Sequence, residues 1–420
     1  MKKTVLTILI VVFCFGYFCP QTVEGAKEAC LPGKPRIKLG VDVLMEGQTH
    51  LIRGKRVGLV TNPTGVDGHM RATADLLAEH PDVRLVALFG PEHGIRGGVL
   101  GRIEDSTDAK TGVPVYSLHG KIHKPTPEML KDVDVLLFDV QDIGCRSYTY
   151  ISTMYRCMEA AAENQVPFIV LDRPNPLNGL IVDGNVLDPK FKSGIGIAPI
   201  AYLHGMTVGE LAGFFNEECG IGCELTVVKM KRWKRKMTWR DTRLTWVPTS
   251  PHIPEVDSAW FYPITGIFGE MPLVNIGVGY TLPFKLVGAP WIDAEAFAAA
   301  LNGKDLPGVF FKPFYYKPYY MHYKDEMCQG VRILITNERK IRPVEVDYHI
   351  IATLMKMYPE QFNFELEGAK RRTRMFDLAN GTDRVRKMFE QGRSAETIIA
   401  DYQADLKTFK RKRAKYLLYK

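Results

Sequence analysis

Val57-Gly58-Leu59-Val60-Thr61-Asn62-Pro63-Thr64-Gly65 is a short apolar run that ends in a turn containing Pro and Gly. Apolar residues at helical spacing follow over 72–80, and 83–89 is a second apolar run closed by Gly90 and Pro91. A buried strand, a crossover helix and another buried strand form the repeating unit of a parallel sheet. The unit recurs downstream as a strand over 134–140, a helix over 150–164 and a strand over 166–171. A helix over 208–218 follows, announced by the capping pair Thr207 and Glu210, and then a strand over 225–229. The pattern predicts an α/β protein built on a Rossmann-like parallel sheet.

Beyond this region the periodicity fades. Residues 246–290 are rich in Pro and Gly and read as one long loop folded over a neighbouring surface, and long loops in compact proteins are usually functional. After Trp291 the composition shifts to a helix over 293–301, a strand over 330–336 and helices over 344–357 and 394–409, a smaller α+β C-terminal domain. The expected organisation is a signal peptide over 1–25, the Rossmann-like domain over 26–289 and an auxiliary domain over 290–420.

The chain has 420 residues, 46% of them hydrophobic and 10% aromatic, enough for two folded domains and too apolar for disorder. Its net charge of +8 comes from 55 Lys and Arg against 47 Asp and Glu, with no long run of one sign, which argues against a nucleic-acid protein. Residues 229–236, Lys-Met-Lys-Arg-Trp-Lys-Arg-Lys, form the one basic cluster; a solvated face is its default reading, and an anionic cell-wall polymer suits it better than DNA. Lys2 and Lys3 precede the apolar run 5–18 and a small, polar segment, a secretory signal with cleavage expected after Gly25. No later apolar stretch reaches the ~20 residues that span a bilayer. The mature chain is therefore expected in the periplasm or outside the cell, without a transmembrane segment. Cleavage removes Cys14 and Cys19; the remaining Cys30, Cys145, Cys157, Cys219, Cys223 and Cys328 could pair in an exported protein, but spacing does not choose a pattern. Cys219 and Cys223 lack the partners a zinc site needs.

In open parallel sheets, ligands bind in the crevice beyond the carboxyl ends of the strands. The turns there read Thr61-Asn62-Pro63-Thr64-Gly65, Gly90-Pro91-Glu92-His93-Gly94, Asp139-Val140-Gln141-Asp142-Ile143-Gly144-Cys145-Arg146 and Asp172-Arg173-Pro174-Asn175-Pro176. Glu92, stiffened by Pro91 and flanked by glycines that let a ligand approach, suits general-acid work, or equally caps the segment that follows it. His93 would orient it or touch the ligand. Asn62, Gln141, Asp142 and Arg146 offer polar contacts, Asp139 lies at a strand end, and Arg173 and Asn175 sit in a rigid turn between prolines. Tyr148 and Tyr150 fit either sugar stacking or the core. No Gly-x-Gly-x-x-Gly follows the first strand, no P-loop is present, no metal-ligand cluster stands out and no Gly-x-Ser-x-Gly elbow follows a strand, so no cofactor or metal is expected.

These turns, with Leu88-Phe89 before and Ile95-Arg96-Gly97 after the Glu92 motif, resemble the NamZ (YbbC-like) exo-β-N-acetylmuramidases, long filed as a domain family of unknown function. Thr111-Gly112-Val113-Pro114-Val115-Tyr116-Ser117-Leu118 and Gly288-Ala289-Pro290-Trp291 extend the likeness over most of the mature chain. The resemblance implies a Rossmann-like catalytic domain with a smaller C-terminal partner, release of N-acetylmuramic acid from the non-reducing end of peptidoglycan fragments, and Glu92 as catalytic carboxylate. The chain departs from the family pattern over 270–280, where Glu270 is kept but an Arg becomes Val278, and at His252, which replaces an Asn. Glycosidases place two groups about the scissile bond, ~5 Å apart for retention and ~6.5–9.5 Å for inversion. Asp142, Asp139 or Glu270 is the expected partner of Glu92, unless the substrate's acetamido group serves, and Arg146 or Arg173 is expected on the lactyl carboxylate. The competing reading is a non-catalytic periplasmic sugar-binding protein, which needs the same crevice but no proton donor.

Overall fold

The strand-end turns converge because of the order in which the strands pair. A computed structural model describes residues 37–97 and 104–420. The expected signal, its cleavage point, Cys14, Cys19 and Cys30 lie outside the described residues. The first six strands are β1 (Arg56–Thr61), β2 (Arg84–Gly90), β3 (Ser106–Thr107), β4 (Pro114–Ser117), β5 (Val135–Asp139) and β6 (Phe168–Leu171). A separate antiparallel pair, β7 (Asp183–Val186) and β8 (Ala201–Leu203), precedes β9 (Leu225–Val228). The central sheet runs β3-β4-β2-β1-β5-β6-β9, parallel throughout except for β3 against β4. The chain builds outward from β1 through β2 to β4, then returns to the other side of β1 with β5. That reversal between β1 and β5 opens the crevice in which α/β sheets bind ligands.

Alternate residues of each strand feed two cores, as burial on both faces of a parallel sheet requires. Leu136 and Phe138 of β5 pack with Val60, Phe89 and Phe168 on one side. Val135 and Leu137 pack with Val57, Leu59 and Leu171 on the other. Helices Thr73–Glu79, Tyr150–Glu163 and Val208–Glu218 stand where the sequence places them, and the last carries the expected capping box: Glu210 N–H donates to Thr207 Oγ1 (3.2 Å) and Thr207 N–H to Glu210 Oε2 (3.1 Å).

The expected loop over 246–290 is mostly loop and turn but is interrupted by regular elements. It contains helix Val256–Thr265 and strand β10 (Leu286–Ala289), which pairs with β12 (Cys328–Ile335), itself flanked by β11 (Val309–Tyr316). The helix was hidden because Ala259, Trp260, Phe261 and Ile264 bury several sides of it and Pro263 interrupts it, so no amphipathic period shows. β11 was hidden by Pro313, which the sheet tolerates because β11 is an edge strand. Helices Ala294–Asn302 and Pro343–Met357 match expectation; 394–409 divides into Ala395–Asp401 and Gln403–Arg413, and Glu367–Asn380 and Arg384–Glu390 are additional. The core on the Phe138 face continues without a break into Val331, Tyr348, Leu354 and Phe409 of this C-terminal half. Among the described residues no helix is long and apolar enough to cross a membrane.

Candidate active site

After β2 the chain reverses sharply. Gly94 N–H donates to Pro91 O (3.0 Å), and His93 and Gly94 both take left-handed backbone angles, φ +73° and +71°. Such a conformation strains a non-glycine residue and is held by its surroundings. The turn leaves the Glu92 side chain 36% exposed, half-buried rather than sealed. Its Oε2 accepts from Thr149 Oγ1 (3.3 Å) and its Oε1 lies 3.9 Å from His119 Nε2. Thr149 is the N-cap of helix Tyr150–Glu163, so the carboxylate stands at the positive end of a fourteen-residue helix.

A wall of phenols backs this carboxyl. The Tyr150 phenol lies within electrostatic reach of Asn62, Tyr148 and Glu92, and burial holds its pKa far above the usual range, so it stays a hydrogen-bond donor. It donates to Thr249 O, and Tyr148 donates to Thr249 Oγ1 (2.7 Å). Tyr148 packs edge-on against Tyr150 (4.9 Å) and Tyr262 (5.9 Å), which makes it a fixed wall rather than a free stacking face. On the outer side, His252 lies close enough to His93 for their charges to interact, and burial lowers its pKa. Its Nε2 is 3.0 Å from Tyr320 Oη. Tyr320 is 44% exposed and Tyr319 52%, so both offer open ring surface at the edge of the site. The divergent 270–280 loop sets this edge: Gly279 (φ +92°) lies so close to Tyr320 O that a Cβ there would sit 2.0 Å from it.

The remaining sequence candidates are brought to the same strand ends but are occupied with one another. Arg173, expected on a substrate carboxylate, donates from Nε and Nη2 to Asp139 (2.5 and 2.9 Å) and from Nη2 to Val66 O, and both partners are buried. Asp139 also accepts from Thr73 Oγ1. Arg146, given the same expectation, is fully buried and donates to the carbonyls of Asn185, Ile200 and Ala379 (2.6–3.0 Å); burial pushes its pKa down to about 10. Most donors of both arginines are thus engaged by the protein, which favours a bracing role over the expected contact with a substrate carboxylate, although Arg146 Nε has no hydrogen-bond partner. Asn175 is likewise a corner piece: its Oδ1 accepts from Leu177 N–H and its Nδ2 donates to Met206 O. Gly144 (φ +84°) presses on it so closely that a Cβ would sit 2.5 Å from Asn175 Oδ1.

Asp142 is 4% exposed; its Oδ2 accepts from Gly144 N–H (2.7 Å) and lies 3.8 Å from His204 Nε2. Gln141 donates to the carbonyls of Asp142 and Pro174. Asn62 accepts from Thr64 N–H (2.9 Å). Asn62 Nδ2, Gln141 Oε1, Asp142 Oδ1 and His204 Nε2 have no hydrogen-bond partner in the protein, so the crevice floor retains unused polar capacity. Glu270 follows helix Val256–Thr265 and pairs with Arg372 (2.7 Å); burial raises its pKa and the guanidinium opposes that rise.

His119, Thr149, Thr249 and Tyr320 were missed by the sequence reading. His119 follows β4 by two residues, so the strand-end rule would have found it had Pro114–Ser117 been recognised as a strand. Among the described residues no three His, Cys, Asp or Glu side chains gather as metal ligands would, and Cys145, Cys157, Cys219, Cys223 and Cys328 are free thiols.

Comparison with known proteins shows which family the chain belongs to. The family described as exo-beta-N-acetylmuramidase NamZ, N-terminal, matches residues 57–257, and its C-terminal counterpart matches 260–419. The peptidoglycan beta-N-acetylmuramidase NamZ of Bacillus subtilis is 44% identical over the full length of both chains. A solved DUF1343 family protein of Bacteroides fragilis is 50% identical with a TM-score of 0.88, covering 92% of this chain and 100% of that one. A second from the same organism is 33% identical with a TM-score of 0.75, over 91% of this chain and 99% of that one.

Proposed function

Because the chain belongs to the exo-β-N-acetylmuramidase NamZ family, we infer that it is a glycoside hydrolase that releases N-acetylmuramic acid from the non-reducing end of peptidoglycan fragments. The observation that carries the chemistry is Glu92: a half-exposed carboxyl held at a helix start between Thr149 and His119, in a crevice whose other charged groups are paired or buried. Glu92 protonates the glycosidic oxygen as the bond to the anomeric carbon breaks. Asp139 is committed to Arg173, Glu270 to Arg372, and Asp142 is buried. With these carboxylates paired or buried, the second role in this reading belongs to the substrate's own acetamido oxygen, which attacks the anomeric carbon and is displaced by a water that returns its proton to Glu92. Tyr319 and Tyr320 supply ring faces for the sugar on the open side, and His252 steadies Tyr320.

The test is incubation with a muramyl-glucosamine disaccharide. Free N-acetylmuramic acid, first appearing with the anomeric configuration of the substrate, is expected. Binding without release would leave a sugar-binding protein, and an inverted first product would return the second role to a protein carboxylate. We also propose that the chain acts outside the cytoplasm with a mature end near Ala26, which amino-terminal sequencing of the expressed protein checks.

A further inference from the structure

The basic cluster over 229–236 divides in the fold. Arg235 turns inward, where it donates to Glu210 and to the carbonyls of Gly179 and Gly205 (both 3.0 Å), while Lys236 is exposed. Arg413, from the final long helix, donates to the same two carbonyls. Of the two guanidiniums only Arg235 bonds the buried Glu210 carboxylate, whose field also reaches Arg413, and burial together with repulsion from Arg235 pushes the Arg413 pKa down to about 10. A cavity of about 470 Å³ is lined by Lys236, Arg339, Arg342 and Lys410, with Asn178, Leu180 and Asp183 among its other walls.

None of these four cations makes a salt bridge among the described residues, although Arg56, Arg96, Arg384 and Arg386 each pair with a carboxylate. Asp183, buried and tied to Gly184 N–H and Tyr402 Oη, feels Arg342 and Lys410, and Glu345 acts on both Asp183 and Arg342. Arg342 is the N-cap of helix Pro343–Met357, so the positive end of a fifteen-residue helix adds to the same field. Four exposed cationic side chains, against the single carboxylate of Asp183, line the cavity, a local excess of positive charge that attracts an anion.

We propose that this cavity, distinct from the Glu92 crevice, is a binding site for a multiply charged phosphate oxyanion. Two arginine forks and two lysines suit several oxygens at once, and the volume exceeds what a single small ion needs. Such phosphate has two sources, a small phosphate ester and a phosphodiester polymer, and both present the same oxygens.

The experiment is calorimetric titration of the full chain with inorganic pyrophosphate and with a glycerol-phosphate polymer, at constant ionic strength, with chloride as the control. The wild type is expected to bind at least one of the two saturably. The double variant Lys236→Ala/Arg339→Ala should bind it at least about tenfold more weakly and keep the wild-type rate of muramide hydrolysis. Preference for pyrophosphate assigns a small phosphate ester, and preference for the polymer a phosphodiester chain. Absence of saturable binding to both, or equal binding by the variant, overturns the proposal. Hydrolysis of muramides has no part in the readout of binding, so failure here leaves the assignment of the crevice untouched.

Discussion

Two carboxylates at the same sheet edge, Asp139 at the end of β5 and Glu92 after β2, are treated in opposite ways. Asp139 is sealed, gripped by two nitrogens of Arg173 and by Thr73, and has no surface left to offer a ligand. Glu92 is half-open, held by one 3.3 Å hydrogen bond and a histidine 3.9 Å away. A charge that satisfies itself inside the protein shapes the crevice; a charge held loosely beside it is free to exchange a proton with a substrate. Position at a strand end brings a residue to the site, but the completeness of its hydrogen bonding decides what it does there.

The sharpest way to break this comparison is to remove the partner of the sealed carboxylate. Arg173→Met leaves Asp139 buried without its counter-charge, and losing one member of a buried pair typically costs ~3–5 kcal/mol. Denaturant unfolding should show that loss, while turnover per folded molecule changes little. A variant of normal stability and lost turnover would make Arg173 a substrate ligand after all.

Next to Arg173, Asp172 shows what burial does without a cation. Burial raises its pKa to about 7, although Tyr419, Gly209 and Thr207 donate to it. The folded protein therefore binds a proton there that the unfolded chain, with an ordinary value of 3.8, releases. This contribution to stability is full below about pH 4 and is lost as pH rises through about 7. Unfolding free energies measured from pH 4 to 8 should fall over that window in the wild type, and the part due to this group should vanish in Asp172→Asn.

The parallel sheet, its two-sided core and the four strand-end turns were legible because apolar runs and helical spacing are local signals. The helix Val256–Thr265 was not, since an element buried on several sides carries no period, and neither was the pairing of Arg173 with Asp139, thirty-four residues apart. Sequence lists the charges that reach an edge; only the fold shows which of them neutralise each other. Arg146 is the clearest case, because its three carbonyl partners come from Asn185, Ile200 and Ala379, and no spacing pattern connects them.

The smallest expected effect tests the fixed wall. Tyr148→Phe removes the hydrogen bond to Thr249 Oγ1 but keeps the ring contacts, which should cost ~1 kcal/mol of stability. Substrate KM should hardly move. A large rise in KM at unchanged stability would instead give Tyr148 a direct contact with the sugar.

Glu92→Gln keeps the size of the side chain and its contact with Thr149 while removing the proton. General acid catalysis contributes ~10²–10⁴ in rate. Steady-state hydrolysis of a muramyl-glucosamine disaccharide by this variant should fall by a factor in that range, with the folding transition and the affinity for N-acetylmuramic acid unchanged. A folded Glu92→Gln protein that hydrolyses the disaccharide at close to the wild-type rate would contradict the assignment of Glu92 as the acid.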